Sequence, residues 1–161
     1  MTKNVDLFIF GVAGDLANRK LIPALYRLDS AGLLGDNLRI IGLARGEMSD
    51  EEFSRSTREI LNQNLGEGEI CDIAWTCFQN RLYYMSINFE KAENYADLNC
   101  RMESNRLNIF YLATPPSLFG SICHQLHASA CVDGSTRIVL EKPIGQDLSS
   151  SRDVNDTVAQ Y

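Results

Sequence analysis

No stretch of this chain approaches the roughly 20 consecutive apolar residues needed to span a bilayer, so no membrane partner is expected. The opening Met1-Thr-Lys-Asn runs straight into a strand-like segment, so no secretory signal is expected. Five cysteines are present, yet none forms a Cys-x-x-Cys pair, and their odd number without framework spacing suits a reducing, cytoplasmic setting. Ligand spacing for zinc is also missing, and buried apolar roles fit the thiols better. Histidine is scarce: His124 and His127 lie three apart with no third ligand at suitable spacing, so neither reads as a metal ligand or a catalytic base. Positive charge is in deficit, with 15 basic against 21 acidic residues and a net charge of -6, which argues against a nucleic-acid partner. Any phosphate recognition must then be local, built from backbone amides and a few cations. Internal repeats and low-complexity tracts are absent.

What is there alternates. Strand-like runs cover Val5–Phe10, Leu38–Leu43, Leu82–Ile87, Leu107–Leu112 and Arg137–Leu140. Helix-like stretches lie between and after them at Leu16–Ala31, Asp50–Asn64, Ala92–Asn105, Ser117–Cys131 and Ser149–Gln160. Strands that are mostly apolar rather than alternating imply a sheet covered on both faces. The order predicts right-handed βαβ units and an α/β fold with a doubly wound, mainly parallel sheet in one domain. At 161 residues the chain is long enough for one proper core. The span from Gly66 to Gln79 is the least regular and reads as a loop or short helix. Pro23 lies inside a helix pattern and should kink it or remove one backbone bond.

Three strand ends carry residues of chemical interest. After the first run comes Gly11-Val-Ala-Gly14-Asp15-Leu16, a strand-to-helix turn that gathers backbone N–H groups and the helix dipole at one point, as a phosphate cradle requires. Gly11 permits the tight turn, and Gly14 allows close approach of a pyrophosphate. The spacing departs from Gly-x-Gly-x-x-Gly, and a plain turn built of small residues fits equally well. Asp15 is most simply a capping or dipole-pairing residue. The second run ends in Arg45, where an acidic residue would accept an NAD ribose hydroxyl; arginine there favours the 2′-phosphate of NADP. Glu47, two residues on, would blunt that preference, and a plain surface charge is the alternative. The fourth run enters Thr114-Pro115-Pro116, which must turn at the sheet's carboxyl edge, where open α/β folds bind ligands. The fifth ends in Glu141-Lys142-Pro143-Ile144-Gly145, presenting a lysine suited to a substrate phosphate or hydroxyl.

Taken together, Phe10-Gly-Val-Ala-Gly14-Asp15-Leu16-Ala17-Asn18-Arg19-Lys20-Leu21, Gly42-Leu-Ala-Arg45, Tyr111-Leu-Ala-Thr-Pro115-Pro116-Ser117-Leu-Phe119 and Glu141-Lys142-Pro143-Ile-Gly145 resemble the N-terminal coenzyme domain of the glucose-6-phosphate dehydrogenase family. They occur in the family's order and span nearly the whole chain. The resemblance implies NADP as coenzyme, with its pyrophosphate at Gly11, Gly14, Asp15 and Leu16 and its 2′-phosphate at Arg45. It further implies the nicotinamide beside Pro115 and Pro116, and Lys142 between coenzyme and glucose 6-phosphate. The reaction implied is oxidation of glucose 6-phosphate at C1 to a 6-phosphogluconolactone. Ala13, Gly46 and Ile144 are mild departures from the family pattern.

The family's Asp-His-Tyr-Leu-Gly-Lys run and its histidine base are not among these residues. The resemblance therefore implies a coenzyme half without its α+β substrate domain, with no catalytic residue of its own and negligible turnover. Homo-oligomer contacts of the parent enzyme would lie in the part not present. A glucose-fructose oxidoreductase-like enzyme, which also carries Glu-Lys-Pro after such a strand, and a non-catalytic NADP-binding module remain as alternatives.

Overall fold

In the computed structural model, which describes residues 4–141, the apolar runs form five strands: β1 (Val5–Phe10), β2 (Leu38–Ala44), β3 (Leu82–Ser86), β4 (Leu107–Leu112) and β5 (Arg137–Leu140). All four pairings are parallel and the spatial order is β3-β2-β1-β4-β5. Val5 of β1 pairs with Leu38 on one side and Leu107 on the other, so three carboxyl ends finish at one level. Since the order reverses at β1, a crevice opens between the β1 and β4 exits. Lys142, Pro143, Ile144, Gly145 and the helix expected over Ser149–Gln160 lie outside the described residues.

The sheet is covered on both faces, as its apolar strands require. Alternate side chains of β1 go opposite ways: Ile9 joins one core while Phe8 and Phe10 join the other. The first core packs α1 (Ile22–Ser30), α2 (Asp50–Asn64) and α3 (Asp72–Gln79) through Tyr26, Phe53, Leu61, Trp75 and Phe78. The second packs α4 (Ala92–Arg101) and α5 (Phe119–Ala128) through Tyr95, Leu98, Ile122, Cys123 and Leu126. Burial pushes the Cys123 and Cys131 thiols up to about 11, so both behave as small apolar groups, while Cys71, Cys77 and Cys100 are exposed. No helix among the described residues is long and apolar enough to cross a membrane.

Several boundaries differ from the sequence expectation for identifiable reasons. The helix expected from Leu16 is interrupted: Ala17–Leu21 forms a π turn, and the α-helix proper starts at Ile22, with Ile22 N–H reaching Ala17 O. Pro23 occupies the second position of α1, where its missing N–H matters little, and its ring opposes a regular turn just before it. The helix expected to reach Asn105 stops at Arg101; beyond it Glu103 pairs with Arg39 and Arg106 with the buried Asp6. The helix expected from Ser117 begins as a 3₁₀ turn, Pro116–Leu118, and ends at Ala128 rather than Cys131. The irregular span resolves into a Gly66–Glu69 turn followed by α3, pinned by Trp75 and by Phe78 against Tyr26 at 5.5 Å. At α2, Ser49 and Glu52 form a capping box, readable as Ser-x-x-Glu but not singled out from sequence; the Ser49 amide holds the Glu52 carboxyl below its usual range.

Candidate functional site

Gly11 follows β1 with φ +80°, a conformation that disfavours a side chain. Its N–H donates to Leu43 O at 2.9 Å, and Val12 N–H shares that acceptor at 3.2 Å. A Cβ on Gly11 would stand 2.9 Å from Ala113 O, so the glycine is required where the β1 and β4 exits touch. Gly14 N–H donates to Gly11 O at 2.9 Å and is consumed in closing the turn. The amides that lack an intrahelical acceptor are therefore those just beyond it, from Asp15 to Ala17, because the first helical bond is Asn18 N–H to Gly14 O. Asn18 also donates through Nδ2 to Ala13 O at 3.3 Å, bracing the loop from inside the first turn.

Beside this turn lies a cleft of about 570 Å³, within the ordinary range for small-molecule sites. Four strand exits build it. Gly11, Ala13 and Gly14 come from β1, and Ala44 to Gly46 with Met48 from β2. Asn88, Phe89 and Glu90 follow β3, and Ala113, Thr114, Pro115 and Leu118 follow β4, with Tyr84 of β3 in the wall. Gly11, Gly14, Arg45 and Pro115 are thus brought together as the sequence predicts. Two other predicted residues turn elsewhere. Leu16 is half-buried against the first core. Asp15 pairs with Arg19 at 3.6 Å, both side chains exposed; it lies inside the first helical turn, which fits the dipole-pairing rather than the capping half of its expected role. Pro116, also predicted for the site, does not line the cleft: it opens the 3₁₀ turn as its first residue. Lys142 lies outside the described residues, but Glu141 just before it accepts a hydrogen bond from Tyr111 Oη at 2.6 Å. Burial, with help from Glu141, pushes the Tyr111 phenol up to about 12, so it acts as a donor at neutral pH.

Sequence reasoning missed several residues of the cleft. Thr114 is buried, and its Oγ1 finds no partner within the described residues. A buried hydroxyl left without a partner is unfavourable by about 1–3 kcal/mol, so Thr114 stands out at the wall of the cleft. Its position between an apolar strand and two prolines was the available signal. Asn88, Phe89 and Tyr84 gave none, because they join the site only through the placement of β3 beside β2.

Glu47, expected to oppose Arg45, does not line this cleft. It faces a neighbouring one of about 530 Å³ with Asp97 and Arg101. The amides at the helix entry and the cation at the β2 exit lie beside one cleft and have the chemistry that phosphate recognition requires.

Comparison with known proteins agrees with this geometry. Residues 8–161 match the family described as glucose-6-phosphate dehydrogenase, NAD binding domain. A glucose-6-phosphate 1-dehydrogenase of Dickeya dadantii is 40% identical over 157 residues, covering 97% of this chain and 32% of the relative. A chloroplastic one of Spinacia oleracea is 31% identical over 163 residues, covering 98% of this chain and 28% of the relative. Among solved structures, the glucose-6-phosphate 1-dehydrogenase of Mycobacterium avium superposes with a TM-score of 0.90 at 29% identity, over 99% of this chain and 34% of that one. A glucose-6-phosphate dehydrogenase in complex with glucose-6-phosphate superposes with a TM-score of 0.83 at 30% identity, over 98% and 34%. The chain therefore spans about a third of the length of these relatives. With the glycine turn, the β2 arginine and Pro115 around one cleft of a five-stranded parallel sheet, the chain belongs to the glucose-6-phosphate dehydrogenase family, in the region of its NAD-binding domain.

Proposed function

We propose that these residues form one dinucleotide-binding domain that binds NADP for a glucose-6-phosphate 1-dehydrogenase, in the cytoplasm. The observation that carries the reading is the single cleft at the sheet's switch point, where the Gly11–Gly14 turn, Arg45 and Thr114 meet. The backbone amides of Asp15 and Leu16 take the diphosphate, with the helix dipole behind them. Arg45 takes the 2′-phosphate as a planar, permanently charged donor. Thr114 and Pro115 bound the β4 side of the cleft, where the nicotinamide lies on this reading. Lys142 donates to glucose 6-phosphate, which is the substrate on this reading.

The bound coenzyme supplies the hydride acceptor for C1 of the sugar. This chain's own residues bind and orient; removal of the C1 hydroxyl proton needs a positioned base. That base, the substrate domain and the contacts for homo-oligomer formation belong on this reading to the portion of the relatives' length not spanned here. The 161 residues by themselves are accordingly expected to bind NADP more tightly than NAD, and to form no NADPH when glucose 6-phosphate is added. Titration followed by Trp75 fluorescence, calorimetry and melting temperature checks the first expectation, and absorbance at the reduced nicotinamide band checks the second. Equal affinity for the two coenzymes, or no binding of either, would remove the reading.

A further inference from the structure

The loop after β2 carries two opposite charges on either side of a glycine: Arg45, Gly46, Glu47. Arg45 lines the cleft read above as the coenzyme site, while Glu47 lines the neighbouring one. Tyr84 and Met48 line both, so they form the partition between them. Gly46 itself cannot hold this arrangement, since it has no side chain and a Cβ placed there would meet nothing within 4 Å. The restraint comes from the adjacent strand. Tyr84 Oη donates to Gly46 O at 2.6 Å, and Ser86 Oγ reaches Arg45 O at 3.4 Å. Tyr84 is in turn fixed: its ring is buried with Phe53 at 5.4 Å, and its N–H donates to Asp50 Oδ1 at 2.6 Å. Burial, with the charge of Glu47 adding to it, raises the Tyr84 phenol above its ordinary range, which keeps the hydroxyl protonated and donating.

We propose that Tyr84 is a positioning residue for coenzyme choice: by tying down the Gly46 carbonyl it keeps Arg45 in the coenzyme cleft and Glu47 out of it. The inference rests on the coenzyme reading above and adds a residue outside the glycine turn and the β2 exit. A loop free to twist about Gly46 would let the Glu47 carboxylate approach the 2′-phosphate, a like-charge contact that penalises NADP and leaves NAD unaffected. Selectivity then depends on one hydroxyl on the neighbouring strand.

The test is calorimetric titration of the 161-residue chain with NADP and with NAD, in Tyr84→Phe, which keeps the buried ring and removes only the hydroxyl. The ratio of the two affinities should fall about fivefold, through NADP alone. In Tyr84→Phe/Glu47→Gln the ratio should return to within about twofold of the native value, a rescue that mere loosening of the sheet would not give. An unchanged ratio in Tyr84→Phe, an equal loss for both coenzymes, or no rescue in the double variant would overturn the proposal. Arg45→Ala separates this from failure of the underlying reading: if it leaves the ratio unchanged, the coenzyme reading itself is wrong. If it collapses the ratio while Tyr84→Phe does not, only the role of Tyr84 falls.

Discussion

Replacing Asp6 by alanine is expected to lower the melting temperature by roughly 10 °C, corresponding to a loss of about 3–5 kcal/mol. Asp6 is fully buried in β1, at the end of the sheet opposite the cleft, and its carboxylate holds two guanidinium groups. Arg39, its register partner on β2, donates from Nε to Oδ1 at 2.7 Å and from Nη2 to Oδ2 at 2.5 Å. Arg106, on the approach to β4, donates from Nε to Oδ1 at 2.5 Å and from Nη2 to the Val5 and Asn37 carbonyls. Arg39 also reaches Glu103, and these two acids raise its already high pKa further.

Removing the shared carboxylate leaves Arg106, only 9% exposed, without a counter-charge, and that uncompensated burial supplies most of the loss. Such a loss would consume a large share of the about 5–15 kcal/mol that keeps a typical domain folded. Melting followed by circular dichroism at neutral pH measures it. A shift below about 3 °C would mean that water or rearrangement replaces the cluster. Replacing Asp6 and Arg106 together by leucine and methionine should recover much of the stability, because the unpaired charge goes too.

Arg45→Ala is expected to weaken NADP binding about 30-fold, or about 2 kcal/mol, and to leave NAD within about twofold. Arg45 is exposed at the β2 exit and bounds the cleft, so its truncation leaves no buried group stranded and little of the fold depends on it. The effect should shrink as salt rises, since an exposed guanidinium and a phosphate are screened over about 8–10 Å. Titrations at low and high ionic strength measure both the size and the slope. Equal loss for NADP and NAD would place Arg45 on the shared diphosphate rather than on the 2′-phosphate.

Much of the fold was legible because each strand announces itself as an apolar run bounded by turn residues. The runs are apolar throughout since helices cover both faces, and that same feature made the parallel sheet readable. The cleft was legible in part. Gly11 was singled out correctly, but for only half of its reason: the touching of the β1 and β4 exits depends on strand order, which no local motif encodes. The sequence reads Gly14 as clearance for a phosphate; the structure adds that its amide closes the turn, so that the free amides lie one to three residues later.

Glu47 is expected from sequence to oppose Arg45, yet it lines the neighbouring cleft and not that of Arg45. Tyr84, Asn88 and Phe89 were invisible because β3 contributes to the site only as the neighbour of β2. Asp6 was overlooked inside Val5–Phe10, although a lone acid within an apolar strand is itself a sign of a buried partner.

The π turn at Ala17–Leu21 has a consequence for how such a domain can change over time. One surplus residue there rotates the helical entry, with its outward amides, relative to the stripe of Ile22, Leu25 and Tyr26 that faces the sheet. On the coenzyme reading proposed above, anion geometry and hydrophobic registry are thereby set by separate segments of one helix. Substitutions that retune one need not disturb the other, whereas deleting a single residue between Ala17 and Leu21 would swing the whole entry by about a quarter-turn or more, some 100°.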